Sequence, residues 1–575
     1  GGRWAELADG GGSSLELIDP RADTLRAQNW RASDETGKAE WTTVQVVAPM
    51  DLGAGGQAAD RFFITMQGAG EALVDDVEVF RAGGGNLLAN PGFESGAAGW
   101  SFFGNHSRST VDLTGAFSGG RVLHVRSPGD GDTGPNSIRA NLSSALAQGN
   151  MVTIRAKARW LSGWPEVLFR VRGNWVELPA RLSVPKNLGT PGMANSRWVA
   201  NAGPAIYDVA HTPALPRGNE SVLVTARVSD PDGAAAPVVR FRVDNTATAG
   251  ALPMRDDGTG GDVMANDGVY SASLAGRAGG TLVAFYIEAR DDAAASAVSK
   301  FPEEATAREC LVRWGDANPW GTFEHHHLWF TEATRQAFES GGGLNNTWRP
   351  ATIVYGSSRV VYGANFRHKG SPYHGGYGDI AATVPKDDLL LGTDDRVYGS
   401  TGNGGSEGTQ MKGDVANWVA EQMGIPFLHS HYIRLFINGG QFQDVLYDLE
   451  QPSRSMAKSW FGGGGVNDAL YKIAVWFEFD DANGGFGATG GSLERFLSNG
   501  MLDLGRYRYN WQLRPDGDSA NDFSGVFNLV NAINNLTDRA TRLPLLADLE
   551  EWMRVFAFNR AMGNWDSYGM GYGQN

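Results

Sequence analysis

Residues 429–450 read HSHYIRLFINGGQFQDVLYDLE. Residues 429–437 are predicted to form a β-strand, and residues 442–449 a second one that returns antiparallel, since both are rich in aromatic and β-branched residues. The tripeptide between them, Asn438-Gly439-Gly440, is a strong local signal for a tight hairpin turn. The stretch therefore predicts an antiparallel β-hairpin that ends on an acidic residue, Glu450.

Helical periodicity appears on both sides of this hairpin. Before it, apolar residues recur at helical spacing from Val415 to Met423, and a glycine and a proline follow as stop signals. After it, a second helix is predicted to begin beyond Pro544 and to end at Gly563, with a polar loop at 564–568. Residues 320–575 are therefore expected to form a mixed α+β domain.

Upstream of that domain the sequence predicts β-structure throughout, because short alternating runs are bounded by Gly, Asp and Asn. Three β-sandwiches are expected: a jelly-roll-like module at 1–84 that opens in mid-domain, a second jelly roll at 86–190, and an immunoglobulin-like module at 204–312. The strands expected within them include 42–47, 61–66, 72–80, 222–228, 238–243 and 281–289. The predicted fold class is thus multidomain, with all-β sandwiches followed by the α+β domain.

The second module opens with Asn86-Leu87-Leu88-Ala89-Asn90-Pro91-Gly92-Phe93-Glu94, and Gly99-Trp100 follows. This opening resembles that of bacterial carbohydrate-binding jelly rolls. The resemblance implies a polysaccharide or cell-surface matrix as partner, and sugar binding needs exposed aromatic rings. Aromatic candidates for this stacking are Trp160, Trp164 and Trp175; the alternative is that they fill a core or an interface.

Composition excludes several classes of protein. The net charge of −15 argues against a nucleic-acid partner, because affinity for phosphate backbones comes from clustered Lys and Arg. There is no run of roughly 18 apolar residues, so no membrane span is expected. The lone Cys310 excludes an intramolecular disulfide framework and is expected to be buried. The opening at Gly1, without Met, predicts a piece of a longer protein. The resemblance of its front modules to bacterial carbohydrate-binding and extracellular modules implies that this protein works outside the cell or at its surface.

A carboxylate cluster lies inside the third module. It consists of Asp256, Asp257, Asp262 and Asp267, in a stretch that resembles the D-D-G…G-D…D-G-V-Y segment of extracellular bacterial Ig-like modules. Clustered carboxylates on a turn suit Ca²⁺, which takes about six to eight oxygen ligands. The alternative is that these side chains form hydrogen bonds within a tight loop.

The C-terminal region resembles the CotH kinase family, an atypical protein-kinase-like group. Four segments carry the resemblance: Asn365–Pro372, Val384–Gly392, the hairpin from Ile433 to Glu450, and Trp552–Asp566. The first resembles the family motif R-x-R-G-x-S, the third N-G-x-x-x-G-x-Y-x-L-x-E, and the last W-x-R-x-F-A…N-x-D.

The resemblance implies phosphoryl transfer from ATP, with Mg²⁺ or Mn²⁺, to a hydroxyl of a protein acceptor, a reaction that depends on positioning and charge neutralisation. It implies that Asp566 orients the acceptor hydroxyl and that Asn575 binds the metal ion. It also implies that Glu450 lies near the nucleotide edge. The basic residues expected to contact phosphate groups are Arg367, Lys369 and Lys386.

Three departures from the family pattern leave activity open. Residues 377–383 lack the family's Lys, Asp444 replaces the hairpin Gly, and the metal-binding D-x-D-like segment does not occur before Asn575. Two functions therefore remain. One is an extracellular ATP-dependent kinase that its front modules tether to a matrix. The other is a non-catalytic structural or adhesive surface protein, able to self-assemble, with a degenerate kinase-like fold.

Overall fold

The computed structural model describes residues 3–52, 58–132, 134–341, 345–369, 378–401, 409–452, 454–461, 470–473, 491–514, 519–564 and 567–568. Strands dominate these ranges and build two β-sandwiches and a closed barrel, which a smaller, partly helical C-terminal part follows. This confirms the multidomain, β-rich part of the predicted fold class. No helix in these ranges combines the length and the apolar character that crossing a membrane requires.

The N-terminal sandwich has two layers that share one long strand. Its strands are β1 (Leu15–Leu17), β2 (Trp30–Ala32), β3 (Thr42–Pro49), β4 (Ala59–Arg81), β5 (Trp100–Phe102), β6 (Thr110–Asp112), β7 (Val122–Asp130), β8 (Ile138–Leu146), β9 (Met151–Gly163), β10 (Glu166–Val171) and β11 (Glu177–Arg181). The first half of β4 pairs with β8 and β10, and its second half pairs with β7 and β9. β3 pairs with β9, while β1 and β2 form a separate small sheet.

The structure corrects the expected boundary at residue 85. Asn86 Oδ1 accepts the N–H of Val79 (3.0 Å) and Asn86 Nδ2 donates to the carbonyl of Val77 (2.9 Å), so the chain folds back along β4. Phe93 and Trp100 then pack against each other inside the same core, with their ring centroids 5.0 Å apart. The segments 1–84 and 86–190 are thus one sandwich with one core, because the glycine-rich break is a turn rather than a linker. The strands expected at 61–66 and 72–80 are both part of β4.

The second sandwich also has two layers. Its strands are β12 (Ala205–Thr212), β13 (Val222–Ser229), β14 (Val238–Val243), β15 (Ala249–Pro253), β16 (Val269–Leu274), β17 (Leu282–Arg290), β18 (Val298–Phe301) and β19 (Cys310–Arg313). One layer has the order β12-β13-β16, and the other has β15-β14-β17-β18 with β19 on β17. Cys310 is fully buried in the core between them, as its sequence context predicted.

A seven-stranded closed barrel follows. Its strands are β20 (Glu324–Trp329), β21 (Arg349–Tyr355), β22 (Arg359–His368), β23 (Ile380–Thr383), β24 (Asp395–Ser400), β25 (Ser430–Ile437) and β26 (Gly440–Leu449). The order is β20-β21-β22-β23-β24-β26-β25, and parallel pairing of β20 with β25 closes it. β25 and β26 form the antiparallel hairpin that the sequence predicted. Leu328, Phe366 and Leu435 lie in the barrel core.

Seven α-helices and the remaining strands complete the described residues. The helices are α1 (Glu332–Glu339), α2 (Lys412–Met423), α3 (Arg454–Phe461), α4 (Leu504–Asn510), α5 (Ser524–Asn534), α6 (Arg539–Arg542) and α7 (Leu549–Met562). The strands are β27 (Leu470–Ile473), β28 (Leu497–Ser498), β29 (Met501–Leu502) and β30 (Trp511–Arg514), and β27 pairs with β30. The two predicted helices are α2 and α7, which end at Gly424 and Gly563. Both glycines are left-handed (φ 64° and 65°), a conformation that glycine adopts without steric cost.

Candidate anion-binding site

A cavity of about 220 Å³ lies where the N-terminal sandwich, the barrel and the C-terminal part meet. The charged side chains in its described wall are Arg367, Lys369, Lys472, Arg508, Arg514, Asp130 and Asp132. Five cations face two carboxylates, which leaves an excess of three positive charges in a chain whose net charge is −15. We name this site the cationic cavity.

The barrel supplies Arg367 through the alternation of β22. Phe366 is fully buried in the barrel core, so the next side chain faces outward to the cavity. The Arg367 guanidinium stacks over the Trp348 ring at 4.7 Å and donates through Nη1 to Asn346. Its Nε is buried and has no hydrogen-bond partner among the described residues. Burial lowers the pKa of Arg367 to about 10. The cation is therefore held in place but not neutralised.

Lys369 follows directly after β22. Its backbone N–H donates to the carbonyl of Asp379 (2.9 Å), which continues the pairing of β22 with β23. Burial lowers the pKa of the Lys369 ammonium, and attraction to Asp379 offsets this only in part. Within the described ranges, no carboxylate forms an ion pair with it. Arg367 on β22 and Lys369 directly after it thus place two poorly compensated cations on one wall.

Lys472 and Arg514 bring two further cations to the cavity from the C-terminal part. They lie on the paired strands β27 and β30, where Lys472 is opposite Gln512. Burial lowers the pKa of Lys472 to about 8, and repulsion from Arg514, Lys369 and Arg367 adds to the effect. Because the four cations repel one another, an anion bound among them would be stabilised electrostatically.

The sandwich contributes the negative charges. Asp130 ends β7, and Asp132 accepts a hydrogen bond from Asn136 Nδ2 (2.8 Å) in the loop that follows. Burial raises the pKa of Asp132 to about 6, against the effect of that hydrogen bond. The sandwich therefore supplies two carboxylates against the five cations of the described wall.

The predicted phosphate contacts divide between two places. Arg367 and Lys369 come together in the cationic cavity, as expected of residues that bind one ligand. Lys386 does not join them. Its side chain is 57% exposed, and its Nζ lies 3.5 Å from Asp9 at a separate cleft of about 890 Å³. The physical reason is that Lys386 lies in the loop beyond β23, which faces the N-terminal segment rather than the cavity.

Glu450 closes the open end of the hairpin. Its Oε2 accepts the backbone N–H of His429 (3.2 Å), so the carboxylate extends the pairing of β25 and β26. The next two residues, Gln451 and Pro452, line the cationic cavity, whereas Glu450 does not. Two further residues were expected from the resemblance, Asp566 to orient the acceptor hydroxyl and Asn575 to bind the metal ion. Both lie outside the described residues.

Three of the four predicted calcium ligands converge. One carboxylate oxygen from each of Asp256, Asp262 and Asp267 lies within 4.8 Å of the other two. Asp257 does not take part, because its carboxylate is directed to Arg255 (3.2 Å). Hydrogen bonds also hold the loop, since Asp256 accepts the N–H of Asp267 (3.1 Å). The geometry thus accommodates both alternatives that the sequence left open.

The three tryptophans considered for sugar stacking are used inside the protein. Trp160 is 1% exposed in the sandwich core. Trp164 packs so closely on Gly68 that a Cβ there would lie 2.5 Å from the ring. Trp175 packs on Tyr509, with ring centroids 5.2 Å apart. These residues fill a core and an interface, which is the second of the two alternatives.

Most residues of the cationic cavity carry no recognisable motif. Arg508 is far in the sequence from Asp130 and Asp132, and only tertiary packing brings it to them. Lys472 gives one weak signal, a cation within a short strand pattern at 470–473. The sequence therefore predicts the barrel side of the cavity but not its other walls.

Comparison with known proteins adds little. No model of a known protein family matches the chain, and no curated protein matches it. Among solved structures, a DUF4785 family protein from Legionella pneumophila is similar at 6% sequence identity, over 57% of this chain and 69% of that one, with a TM-score of 0.15. A TM-score of this size supports neither a shared fold nor a shared function.

Proposed function

We propose that the cationic cavity binds the phosphate groups of ATP, with Mg²⁺ or Mn²⁺, and that the C-terminal region is a CotH kinase-like domain that transfers a phosphoryl group to a protein hydroxyl. The observation that carries this proposal is the convergence of three partly buried, mutually repelling cations, Arg367, Lys369 and Lys472, in one cavity. Such a set is costly to maintain unless an anion compensates it.

The chemistry of the wall fits this role. Phosphoryl transfer needs cations that neutralise charge on the phosphate oxygens and hold them in line. Arg367 offers an uncommitted Nε, and the two lysines offer point charges. At about 220 Å³ the cavity is smaller than sites that enclose a whole small molecule, which are roughly 300–1,000 Å³. A cavity of this size suits phosphate groups rather than a whole nucleotide.

The setting we propose is an extracellular or cell-surface modular protein of bacteria. Its sandwiches would be jelly-roll-like and immunoglobulin-like, and a polysaccharide or matrix would be their partner. The converging carboxylates of Asp256, Asp262 and Asp267 would hold Ca²⁺ in the second sandwich.

A second candidate function is a non-catalytic scaffold with structural or adhesive properties. The lack of the family's Lys in residues 377–383 favours it, because a bound triphosphate would then lose one neutralising charge. In that case the cavity holds a structural anion and supports no transfer.

Transfer of the γ-phosphoryl group from labelled ATP by the full chain separates these functions. The kinase proposal predicts transfer that Lys369→Gln weakens and Asp566→Ala abolishes. The scaffold predicts binding of phosphate without transfer. If wild-type protein binds neither MgATP nor inorganic phosphate, both uses of the cavity are refuted.

A further inference from the structure

We infer that the N-terminal sandwich is a working part of the cationic cavity, so that binding of a phosphate-bearing ligand and docking of the sandwich on the C-terminal part stabilise each other. The inference rests on the proposed function and adds a form of regulation to it. The sandwich supplies one wall of the cavity, including Gln67, Asp132 and Leu168. If the sandwich were not docked, the cations of the barrel and of the C-terminal part would lie in an open groove.

Arg508 links the cavity to the docking interface. Its side chain lines the cavity, is 5% exposed, and donates through Nε to Glu177 of the sandwich (2.9 Å). The same carboxylate also accepts a hydrogen bond from Arg170 Nη1 (2.9 Å), and both partners are buried. One carboxylate is therefore shared by two guanidinium groups. Asp503 interacts electrostatically with both Arg170 and Glu177, so the docking interface places two guanidinium groups and two carboxylates beside the cavity. An anion in the cavity would interact with Arg508, which belongs to both.

The other docking contacts combine hydrogen bonds with the apolar packing of Trp175 on Tyr509. Glu166 of the sandwich accepts the N–H of Ala520 (2.7 Å) and the hydroxyl of Ser519. The amides of Gln67 and Asn521 bond to each other in both directions, at 3.1 Å each. Buried polar contacts of this kind stabilise an interface only when every group is satisfied. Docking is thus sensitive to the charge balance of the adjacent cavity.

Thermodynamic linkage connects the two events. A ligand that binds only the docked form stabilises docking, and weaker docking must lower the apparent ligand affinity by the fraction of molecules that remain docked. For one variant, local charge alone predicts a higher ligand affinity, whereas coupling predicts a lower one. Glu177→Gln removes a negative charge near a cationic cavity, which by charge alone would tighten anion binding. The sign of the change therefore separates coupling from a local charge effect.

The experiment titrates the full-length chain with inorganic phosphate by calorimetry and compares Glu177→Gln, Ser519→Ala and Glu78→Gln. Glu177 and Ser519 contact the interface without lining the cavity. Glu78 is the matched control, a sandwich carboxylate paired with Arg155 away from the interface. Hydrogen exchange of β10 and of α4–β30 is measured in parallel, with phosphate and with chloride at equal ionic strength.

Coupling predicts about tenfold weaker phosphate binding in Glu177→Gln, a smaller loss in Ser519→Ala and no change in Glu78→Gln. It also predicts slower exchange of β10 in wild type with phosphate. Unchanged or tighter binding in Glu177→Gln would overturn it, while wild-type binding that Lys369→Gln abolishes would leave the proposed function intact. If Glu177→Gln does not fold, Ser519→Ala decides the question. Weaker phosphate binding in that variant would support coupling, and unchanged or tighter binding would overturn it. If wild type binds no phosphate, the proposed function fails and this inference fails with it.

Discussion

Replacing Lys472 with Met should stabilise the protein at neutral pH. The pKa of Lys472 falls from 10.5 to about 8 in the folded chain, chiefly through burial and then through repulsion from Arg514, Lys369 and Arg367. The unfolded chain therefore binds the proton more tightly, and the folded state is penalised below about pH 8. Since one pKa unit corresponds to about 1.4 kcal/mol, the penalty is about 3 kcal/mol. This is an upper value, because Met also gives up the contacts of the ammonium group.

The stabilisation should have a characteristic pH dependence. The gain in unfolding free energy is largest below about pH 8 and disappears as pH rises toward about 10.5, where Lys472 is neutral in both states. Denaturant unfolding of wild type and Lys472→Met near pH 7 and near pH 10 measures it. Lys386→Met is the matched control, because that side chain is 57% exposed and should change little. A destabilised Lys472→Met, or a gain that does not depend on pH, would refute the electrostatic account.

Three further predictions concern the cationic cavity, the carboxylate cluster of the second sandwich and the sandwich interface. Sulfate affinity, measured by calorimetry, should fall above about pH 8 as Lys472 loses its proton and rise below about pH 6 as Asp132 gains one; a flat profile would contradict both assignments. Calcium titration should show binding that Asp262→Asn abolishes and Asp257→Asn retains, and equal effects of the two changes would exclude the converging set. Trp175→Ala should cost roughly 3 kcal/mol in unfolding free energy, because its ring packs at the sandwich interface, and a cost near zero would contradict that placement.

Local structure was predictable from the sequence where the signal itself is local. The two strand-like segments on either side of Asn438-Gly439-Gly440 predicted the hairpin, and the structure forms it as β25 and β26. Gly424 and Gly563 marked the ends of two helices, since glycine takes the left-handed conformation that a helix stop requires. In each case a few neighbouring residues contain all the information.

Long-range pairing was not predictable in the same way. The glycine-rich stretch after β4 has the composition of a linker, yet hydrogen bonds from Asn86 make it a turn within one sandwich. The cationic cavity depends on contacts such as that of Arg508 with Glu177, which are 331 positions apart in sequence. Residue patterns within a short window do not encode such contacts, so the sequence indicated Arg367 and Lys369 but neither Lys472 nor the sandwich wall.

The most direct test of the central claim is calorimetric titration of the full chain with MgATP and with inorganic phosphate, beside Lys369→Gln and the matched control Lys386→Gln. Lys369 faces the cationic cavity, whereas Lys386 lies at the separate cleft. We expect both ligands to bind wild type and Lys386→Gln alike, and Lys369→Gln to weaken both by about tenfold, the effect of losing one charge-assisted contact. Equal affinity in Lys369→Gln and wild type, or no binding of either ligand, would contradict a phosphate site in this cavity.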